Sequence, residues 1–154
     1  MTFGPIESYV LHRPPMLLLD EVIEVTPSLV RCLARIRPDS PFLDGGVFAP
    51  TLLVDMAAQA LFVYYTCTSN QDGATRLPAF PTGIRNLDFL APVHAGDELV
   101  VTARVVRIAK PLAIMAISIE RGGETVVAGE MKFFIDRHAH VFPPELAARL
   151  DLPR

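Results

Sequence analysis

The sequence is poor in cysteine and has no surplus of positive charge. Its two cysteines, Cys32 and Cys67, lie in apolar segments without the paired spacing of a zinc site. They predict reduced thiols in a cytoplasmic protein rather than a disulfide scaffold. With 14 Lys and Arg residues against 17 Asp and Glu residues, the net charge is -3. This balance argues against a nucleic-acid-binding protein and a polybasic membrane anchor, so we expect a small molecule or a protein as the partner.

Targeting and repeated segments are missing as well. Residues 1–10 lack a basic start followed by an apolar run, so no signal peptide is expected. There is no internal repeat, low-complexity tract or second domain, which predicts a single domain over residues 1–154. Since 51% of the residues are hydrophobic and no membrane span is expected, we predict that additional apolar surface is buried between subunits.

The stretch from Pro50 to Tyr65 predicts a helix. Proline is favoured in the first turn of a helix, so Pro50 marks its start. The stretch is apolar on almost every side except for one polar line of Thr51, Asp55 and Gln59, spaced four apart. It is short for a membrane span, and a central aspartate would cost about 2.5–3.5 kcal/mol in lipid. We therefore expect a helix buried within the protein itself.

Asp55 is the candidate catalytic residue of this helix. Burial disfavours the charged form of a carboxyl group, and the Gln59 amide one turn later can orient that group as an acid or as a base. An alternative interpretation is a structural aspartate that accepts hydrogen bonds from backbone amides near the helix start. The sequence leaves both interpretations open.

Segments with strand character flank the helix on both sides. Two precede it and four follow it, with turns such as Gly122-Gly123 between them. The predicted strands are residues 16–26, 28–37, 83–90, 98–109, 112–121 and 124–136. A polar loop at 67–82 is long enough to act as a flap, and residues 144–150 are suited to a terminal helical turn.

This order of elements predicts the fold class. A single helix that is hydrophobic all round is best buried by a sheet that curls around it. We therefore predict an α+β fold in which a curled antiparallel sheet of about six strands wraps around one long buried helix. Pairing with a second chain would cover the remaining sheet edge.

Several motifs resemble the hot-dog-fold thioester dehydratases, the β-hydroxyacyl-acyl-carrier-protein dehydratases of fatty-acid synthesis and their relatives. That family opens with Leu-Pro-His-Arg-x-Pro-x-Leu-Leu-x-Asp, and residues 10–20 are similar, with leucine replacing the proline. Its Pro-Phe-x-x-Gly segment matches residues 41–45, and the acid and glutamine of its central helix match Asp55 and Gln59. Its Phe-x-x-Pro-Val-x-x-Gly-Asp segment matches residues 89–97.

The loop before the helix departs from the main branch of that family. There the loop reads Gly-His-Phe-Pro-Gly, and its histidine is the base that works with the helix acid. Here residues 45–50 read Gly-Gly-Val-Phe-Ala-Pro. The segment from Gly45 to Asp55 is also several residues shorter than in that branch. In this respect the chain resembles the truncated dehydratase-like proteins of aryl-polyene and related lipid gene clusters. The resemblance carries over the pair of Asp55 and Gln59 but not a histidine–acid dyad.

The resemblance implies dehydration of 3-hydroxyacyl thioesters carried on the phosphopantetheine of acyl carrier protein, with no further cofactor and no metal. This reaction needs a base, an acid and donors for the thioester oxygen. Asp55 is the first catalytic candidate, and His12, which lies in the opening motif, is the second unless it only holds the N-terminal segment. Unpaired amides at the helix start and at Gly46 are suited to the thioester oxygen. The expected substrate contacts are Gly45, Gly46, Thr51 and Gln59.

Other charged and titratable residues are weaker candidates. His94 lies in a turn, where we expect it to be solvated. His138 and His140 lack further metal ligands nearby. The candidate contacts for phosphopantetheine or an acidic carrier protein are Arg13, Arg85 and Lys110.

Three functions remain open at this stage. The first is a dehydratase of fatty-acid or polyketide-like lipid synthesis. The second is a thioesterase on the same scaffold, in which Asp55 activates water. The third is a non-catalytic subunit that pairs with an active dehydratase, which the missing loop histidine motivates. Both a homodimer and a heterodimer with another hot-dog protein fit these alternatives.

Overall fold

A computed structural model describes residues 2–69, 79–109 and 111–135. A short 3-10 helix, Ile6–Ser8, lies in the N-terminal segment, which we define as residues 2–20. The following elements, in chain order, are β1 Glu21–Thr26, β2 Leu29–Arg35, β3 Leu43–Asp44, β4 Val47–Phe48, α1 Pro50–Ser69, β5 Ala79–Phe89, β6 Glu98–Ala109, β7 Leu112–Arg121 and β8 Glu124–Ile135.

Six of the strands form one antiparallel sheet in the order β1-β2-β6-β7-β8-β5. Along β2, Val30, Cys32 and Ala34 are buried, whereas Arg31 and Arg35 lie on the other face. The buried face of the sheet packs against α1. The predicted α+β fold with one buried helix is therefore confirmed. The small β3–β4 hairpin that precedes the helix was not predicted.

The helix begins at Pro50, as predicted, and continues to Ser69, four residues beyond the predicted end. Its central residues are enclosed because the helix lies across the inner face of the sheet, and Met56, Ala60, Leu61 and Val63 have no exposed surface. In the part of the chain that the structure describes, no helix has the length and hydropathy needed to cross a membrane.

Three predicted boundaries were wrong. The first strand starts at Glu21 rather than at residue 16, because the backbone groups of Met16 and Leu18 bond to the Gln59 side chain. The loop predicted at 67–82 is helical up to Ser69 and is a strand from Ala79. The remainder of that loop, residues 70–78, and the predicted terminal turn at 144–150 lie outside the described residues.

Strand β5 lies at one edge of the sheet and bends where its pairing with β8 is interrupted. The register shifts between Arg85 and Asp88, and Asn86 has a left-handed φ of 50°. The bend brings the backbone of Leu87 over Gly129 of β8, where a Cβ atom would lie 2.8 Å from the Leu87 Cα. Only glycine at position 129 allows this close approach without a shift of backbone atoms.

We expect the Gly129→Ala substitution to destabilise the protein by about 1–3 kcal/mol, because the added methyl group collides with the Leu87 backbone. Gly83→Ala on β5 is the matched control. Its Cβ would lie 3.8 Å from the Lys132 Cδ, an ordinary contact, so we expect a change within about 0.5 kcal/mol. Urea denaturation of both variants measures the difference, and equal midpoints would contradict the close approach.

Candidate active site

One face of α1 is covered by the N-terminal segment. Thr66 Oγ1 donates a hydrogen bond to the Tyr9 carbonyl at 2.9 Å. One turn earlier, the Phe62 ring packs against the His12 ring with centroids 5.9 Å apart. Gln59, almost one further turn earlier, bonds to the same segment. The N-terminal segment therefore runs along the helix face that ends at Asp55.

Gln59 is fully buried and connects this segment to Asp55. Its Oε1 accepts a hydrogen bond from the Leu18 amide at 2.9 Å, and its Nε2 donates to the Met16 carbonyl at 2.8 Å. The second hydrogen of Nε2 goes to Asp55 Oδ2, also at 2.8 Å. Both amide donors are thus used within the chain. Gln59 is therefore placed to orient Asp55, and its predicted contact with a substrate stays a prediction.

Asp55 is half-buried rather than enclosed, and Thr51, one turn earlier, is exposed. Along the predicted polar line, the exposure of the side chains therefore falls from Thr51 through Asp55 to the fully buried Gln59. Among the described residues, the hydrogen-bond partner of the Asp55 carboxylate is Gln59, and no backbone amide donates to it. This contradicts the alternative in which backbone amides satisfy the carboxylate. The oxygen Oδ1 has no such partner and is available for proton transfer.

Among the described residues, no hydrogen bond joins His12 to Asp55. Phe62, which contacts the His12 ring, follows Asp55 by seven residues, or about 10.5 Å along the helix axis. The His12 Nδ1 is nevertheless buried without a hydrogen-bond partner. A buried nitrogen without a partner is costly, and such groups often have a functional reason. A catalytic role for His12 stays a prediction.

The paired glycines before the helix form the turn of the β3–β4 hairpin. Gly45 and Gly46 have φ values of 56° and 81°, the left-handed conformation that glycine adopts without steric cost. Both are exposed, and the Gly46 carbonyl accepts a hydrogen bond from the Ala95 amide at 3.0 Å. At the helix start, the Leu52 amide donates to the Ala49 carbonyl at 3.0 Å. The Leu52 amide is therefore already used within the chain, and fewer amides at the helix start are free for a thioester oxygen than the sequence predicted.

The exposed His94 belongs to a turn that Asp97 organises. The His94 amide and the Arg121 guanidinium both donate to Asp97 Oδ2, at 2.8 and 3.0 Å. Burial opposes ionisation of this carboxyl group, but these hydrogen bonds and the positive charge of Arg121 prevail and lower the pKa of Asp97 below its ordinary value of 3.8. The hydrogen bond to Asp97 thus holds the backbone of His94, whereas its side chain is exposed.

We expect this carboxylate to contribute to acid sensitivity. Because its pKa is lower in the folded than in the unfolded chain, Asp97 stabilises the fold above about pH 4 and loses that contribution as the pH falls further. The stability difference between the wild type and Asp97→Asn should therefore shrink between about pH 7 and about pH 3. Urea denaturation at both pH values tests this, with the exposed Asp88→Asn as a control; an unchanged difference would contradict it.

A cavity of about 530 Å³ lies beside the Gln59 contacts. Leu18, whose amide binds Gln59, forms part of its wall, and Met56, the neighbour of Asp55, forms part of its floor. Phe42 and Phe48 line it from the segment before the helix, with their rings edge to face. Volumes of this size hold small apolar ligands. Phe42 lies in the Pro-Phe motif, which was the available sequence signal for this wall.

The other candidates are occupied or lie outside the described residues. Arg13 donates to the carbonyls of Val10 and His12, and Arg85 binds Glu130. Within the described ranges, no cluster of residues is suited to a metal ion. Lys110, His138 and His140 are outside these ranges.

The cysteines are unsuited to nucleophilic chemistry. Both are free, and Cys32 is fully buried. Burial, together with the neighbouring Cys67, raises the pKa of the Cys32 thiol to about 12. Burial also raises the pKa of Cys67. Since the thiolate is the reactive form, neither thiol competes with Asp55 as the candidate catalyst.

Comparison with known proteins places this site in a family. The sequence profile of the ApeP-like family, described as ApeP dehydratase, matches residues 4–142. The 3-hydroxyacyl-[acyl-carrier-protein] dehydratase FabZ of Streptococcus sanguinis is 28% identical over 129 residues, covering 80% of this chain and 90% of that protein. FabZ of Streptococcus pyogenes serotype M3 is 27% identical over 138 residues, and the match covers 86% of this chain and 97% of that protein.

Solved structures show the same fold. The dehydratase heterocomplex ApeI:P from Xenorhabdus doucetiae has a chain that is similar with a TM-score of 0.81 and 21% identity, covering 90% of this chain and 95% of that one. The E. coli PaaI protein of the phenylacetic acid degradation operon is similar with a TM-score of 0.61 and 24% identity, and the match covers 74% of this chain and 81% of that one. At these identities the likeness establishes the hot-dog fold, whereas the profile match spans most of the chain. The protein therefore belongs to the ApeP-like family of hot-dog-fold dehydratases.

Proposed function

We propose that this protein dehydrates 3-hydroxyacyl thioesters carried on acyl carrier protein, or forms part of a complex that does so. The observation that carries the proposal is the half-buried Asp55 carboxylate, oriented by Gln59, in a chain of the ApeP-like dehydratase family. The names of the FabZ relatives support the substrate class. Such chemistry fits the cytoplasmic location that the free cysteines suggest.

Asp55 has the geometry of a proton-transfer group. In the dehydration, the C2 proton leaves to a base, and the C3 hydroxyl departs with a proton from an acid, so that water and an enoyl thioester form. With Oδ2 held by Gln59, the other oxygen, Oδ1, exchanges the proton with the substrate. The neighbouring cavity has apolar walls at Leu18, Phe42 and Met56 and charged residues such as Asp20 and Arg37 elsewhere, so we propose that the acyl chain lies along the apolar walls.

The dehydration needs a second proton-transfer group besides Asp55. His12 is the candidate of this chain, and its unpartnered Nδ1 supports a further ligand or a movement of the N-terminal segment. Because no hydrogen bond joins His12 to Asp55 among the described residues, a group from a second subunit is an alternative source. This distinction separates a self-sufficient enzyme from one subunit of a mixed enzyme.

We propose that the second subunit pairs along β5. This strand is an edge of the sheet, and it exposes Ile84, Phe89 and the following Leu90. An edge strand with exposed apolar residues is a natural site for pairing with another chain. The similar chain of the ApeI:P heterocomplex supports a second hot-dog protein as the partner. A homodimer through the same edge remains the competing assembly.

Turnover of a 3-hydroxyacyl-carrier-protein substrate tests these proposals. Mass spectrometry should detect the enoyl product, either with this protein alone or only after addition of a second hot-dog protein. The first result supports a self-sufficient dehydratase and the second a mixed dimer. Release of free acid and thiol would instead indicate a thioesterase. No product in either arrangement would contradict the proposed dehydration.

A further inference from the structure

A bulge in β6 brings two arginines to the same face of the sheet. In a regular strand, residues three apart point to opposite faces. The β6–β7 register shifts between Val105 and Arg107, so that Arg104 pairs with Ala116 and Arg107 pairs with Ile114. Ala116 and Ile114 alternate with buried residues of β7. Both arginines therefore lie on the outer face, away from α1.

Lys132 belongs to the same cluster. It pairs with Ile114 across β7 and β8, so Arg107, Ile114 and Lys132 form one row on three adjacent strands. With strands about 4.8 Å apart, the backbones of Arg107 and Lys132 are about 10 Å apart. Arg104, Arg107 and Lys132 are all exposed, and the charged group of each forms no ion pair or hydrogen bond with another residue in the described ranges.

Apolar side chains lie beside these cations. The next row toward the β6–β7 turn includes Leu112 and Phe134, which pair with each other. Leu112 is 50% exposed and Phe134 is 38% exposed. This pair adds an exposed apolar part to the cation cluster. We define the outer-end patch as Arg104, Arg107, Leu112, Ile114, Lys132 and Phe134.

The charge of the outer-end patch differs from that of the rest of the molecule. Among the acids beside it, Glu130 already binds Arg85 at 2.6 Å, Glu24 pairs with Arg31, and Glu120 lines the same surface depression as Arg104. Several acids of the sheet lie toward its opposite end, namely Glu21, Glu98 and Glu124. In a chain with a net charge of -3, this cation cluster is a local exception.

We propose that the outer-end patch binds the surface of an anionic phospholipid bilayer. The three cations attract lipid phosphates, and Leu112 and Phe134 enter the boundary between headgroups and acyl chains. Leu112 and Phe134 lie at the end of the sheet, beside the β6–β7 turn. At this position a flat bilayer surface can reach both side chains, which favours lipid over an acidic protein as the partner. The proposal is independent of the dehydratase activity, since it uses the face of the sheet opposite α1 and Asp55.

Co-sedimentation with vesicles tests this proposal. We expect the protein to bind vesicles made of equal parts of phosphatidylglycerol and phosphatidylcholine, and to dissociate from them as the salt concentration rises. It should not bind vesicles of phosphatidylcholine alone. Arg107→Gln and Lys132→Gln should each lower the partition coefficient about fivefold, equivalent to about 1 kcal/mol per cation. Leu112→Ser should lower it as well, through the loss of apolar contact.

Arg31→Gln is the matched control. Arg31 lies on the same outer face but on β2, and it is paired with Glu24, so we expect wild-type partition. Circular dichroism of each variant checks that the fold is retained. Equal binding to both vesicle types, no binding at low salt, or wild-type binding by Arg107→Gln and Lys132→Gln would overturn the proposal. Binding of polyglutamate through these cations, without vesicle binding, would overturn it in favour of an acidic protein partner.

Discussion

The Asp55→Asn substitution is expected to lower the dehydration rate by about 10²–10⁴-fold, the usual contribution of one proton-transfer group. Asparagine keeps the shape of the side chain and can still meet the Gln59 amide through its oxygen, so the fold should be retained. It has no titratable oxygen with which to move a proton. Single-turnover kinetics with a 3-hydroxyacyl-carrier-protein substrate measure the loss, with or without the second subunit as the assay requires.

Glu24→Gln is the control for this experiment. Glu24 is a partly exposed carboxylate of β1 that pairs with Arg31 at 3.7 Å, far from the helix face that bears Asp55. We expect full activity in this variant, since it removes one negative charge without touching the site. Undiminished turnover in Asp55→Asn would show that this carboxylate moves no proton, and the proposed mechanism would have to be abandoned.

The Gln59→Leu substitution is expected to destabilise the protein by about 3 kcal/mol or more. Leucine fills a similar volume, but the Leu18 amide, the Met16 carbonyl and the Asp55 carboxylate each lose a hydrogen bond. An unpaired buried polar group costs about 1–3 kcal/mol. Urea denaturation measures the change, and protection of residues 16–18 from hydrogen exchange should fall with it.

Thr66→Val is the matched control for the Gln59 variant. It removes one hydrogen bond, from Thr66 to the Tyr9 carbonyl, on the same helix face. We expect a loss of about 1 kcal/mol, a small fraction of the Gln59 effect. Equal losses in the two variants would show that Gln59 contributes no more than one ordinary hydrogen bond, which would contradict its role as the connection between the N-terminal segment and Asp55.

The helix and the longest strands were predictable because several local signals agree there. Pro50 fixes the helix start, and the apolar character of the following residues fixes its burial. For β6 and β7, the predicted and observed boundaries coincide, since turn residues border each strand. The polar line of Asp55 and Gln59 also follows from helical periodicity, and the hydrogen bond between them is the expected result of a spacing of four.

The error at the first strand has a different origin. Residues 16–20 have the composition of a strand, but Met16 and Leu18 satisfy their backbone groups with a side chain of α1 instead of a neighbouring strand. Gln59 is separated from them by 43 and 41 residues. No local pattern indicates a contact over that distance, and the substrate contact predicted for Gln59 stays a prediction.

By itself, the sequence determined the α+β class, the buried central helix and the carboxylate with its glutamine, because these depend on periodicity and turn residues close together in the chain. The tertiary structure decided what Gln59 holds, which ring His12 packs against, and which cations share a face. The physical reason is that such contacts are set by packing and by strand register. A bulge at Val105–Arg107 reverses which side chains meet without a clear sign in the local sequence.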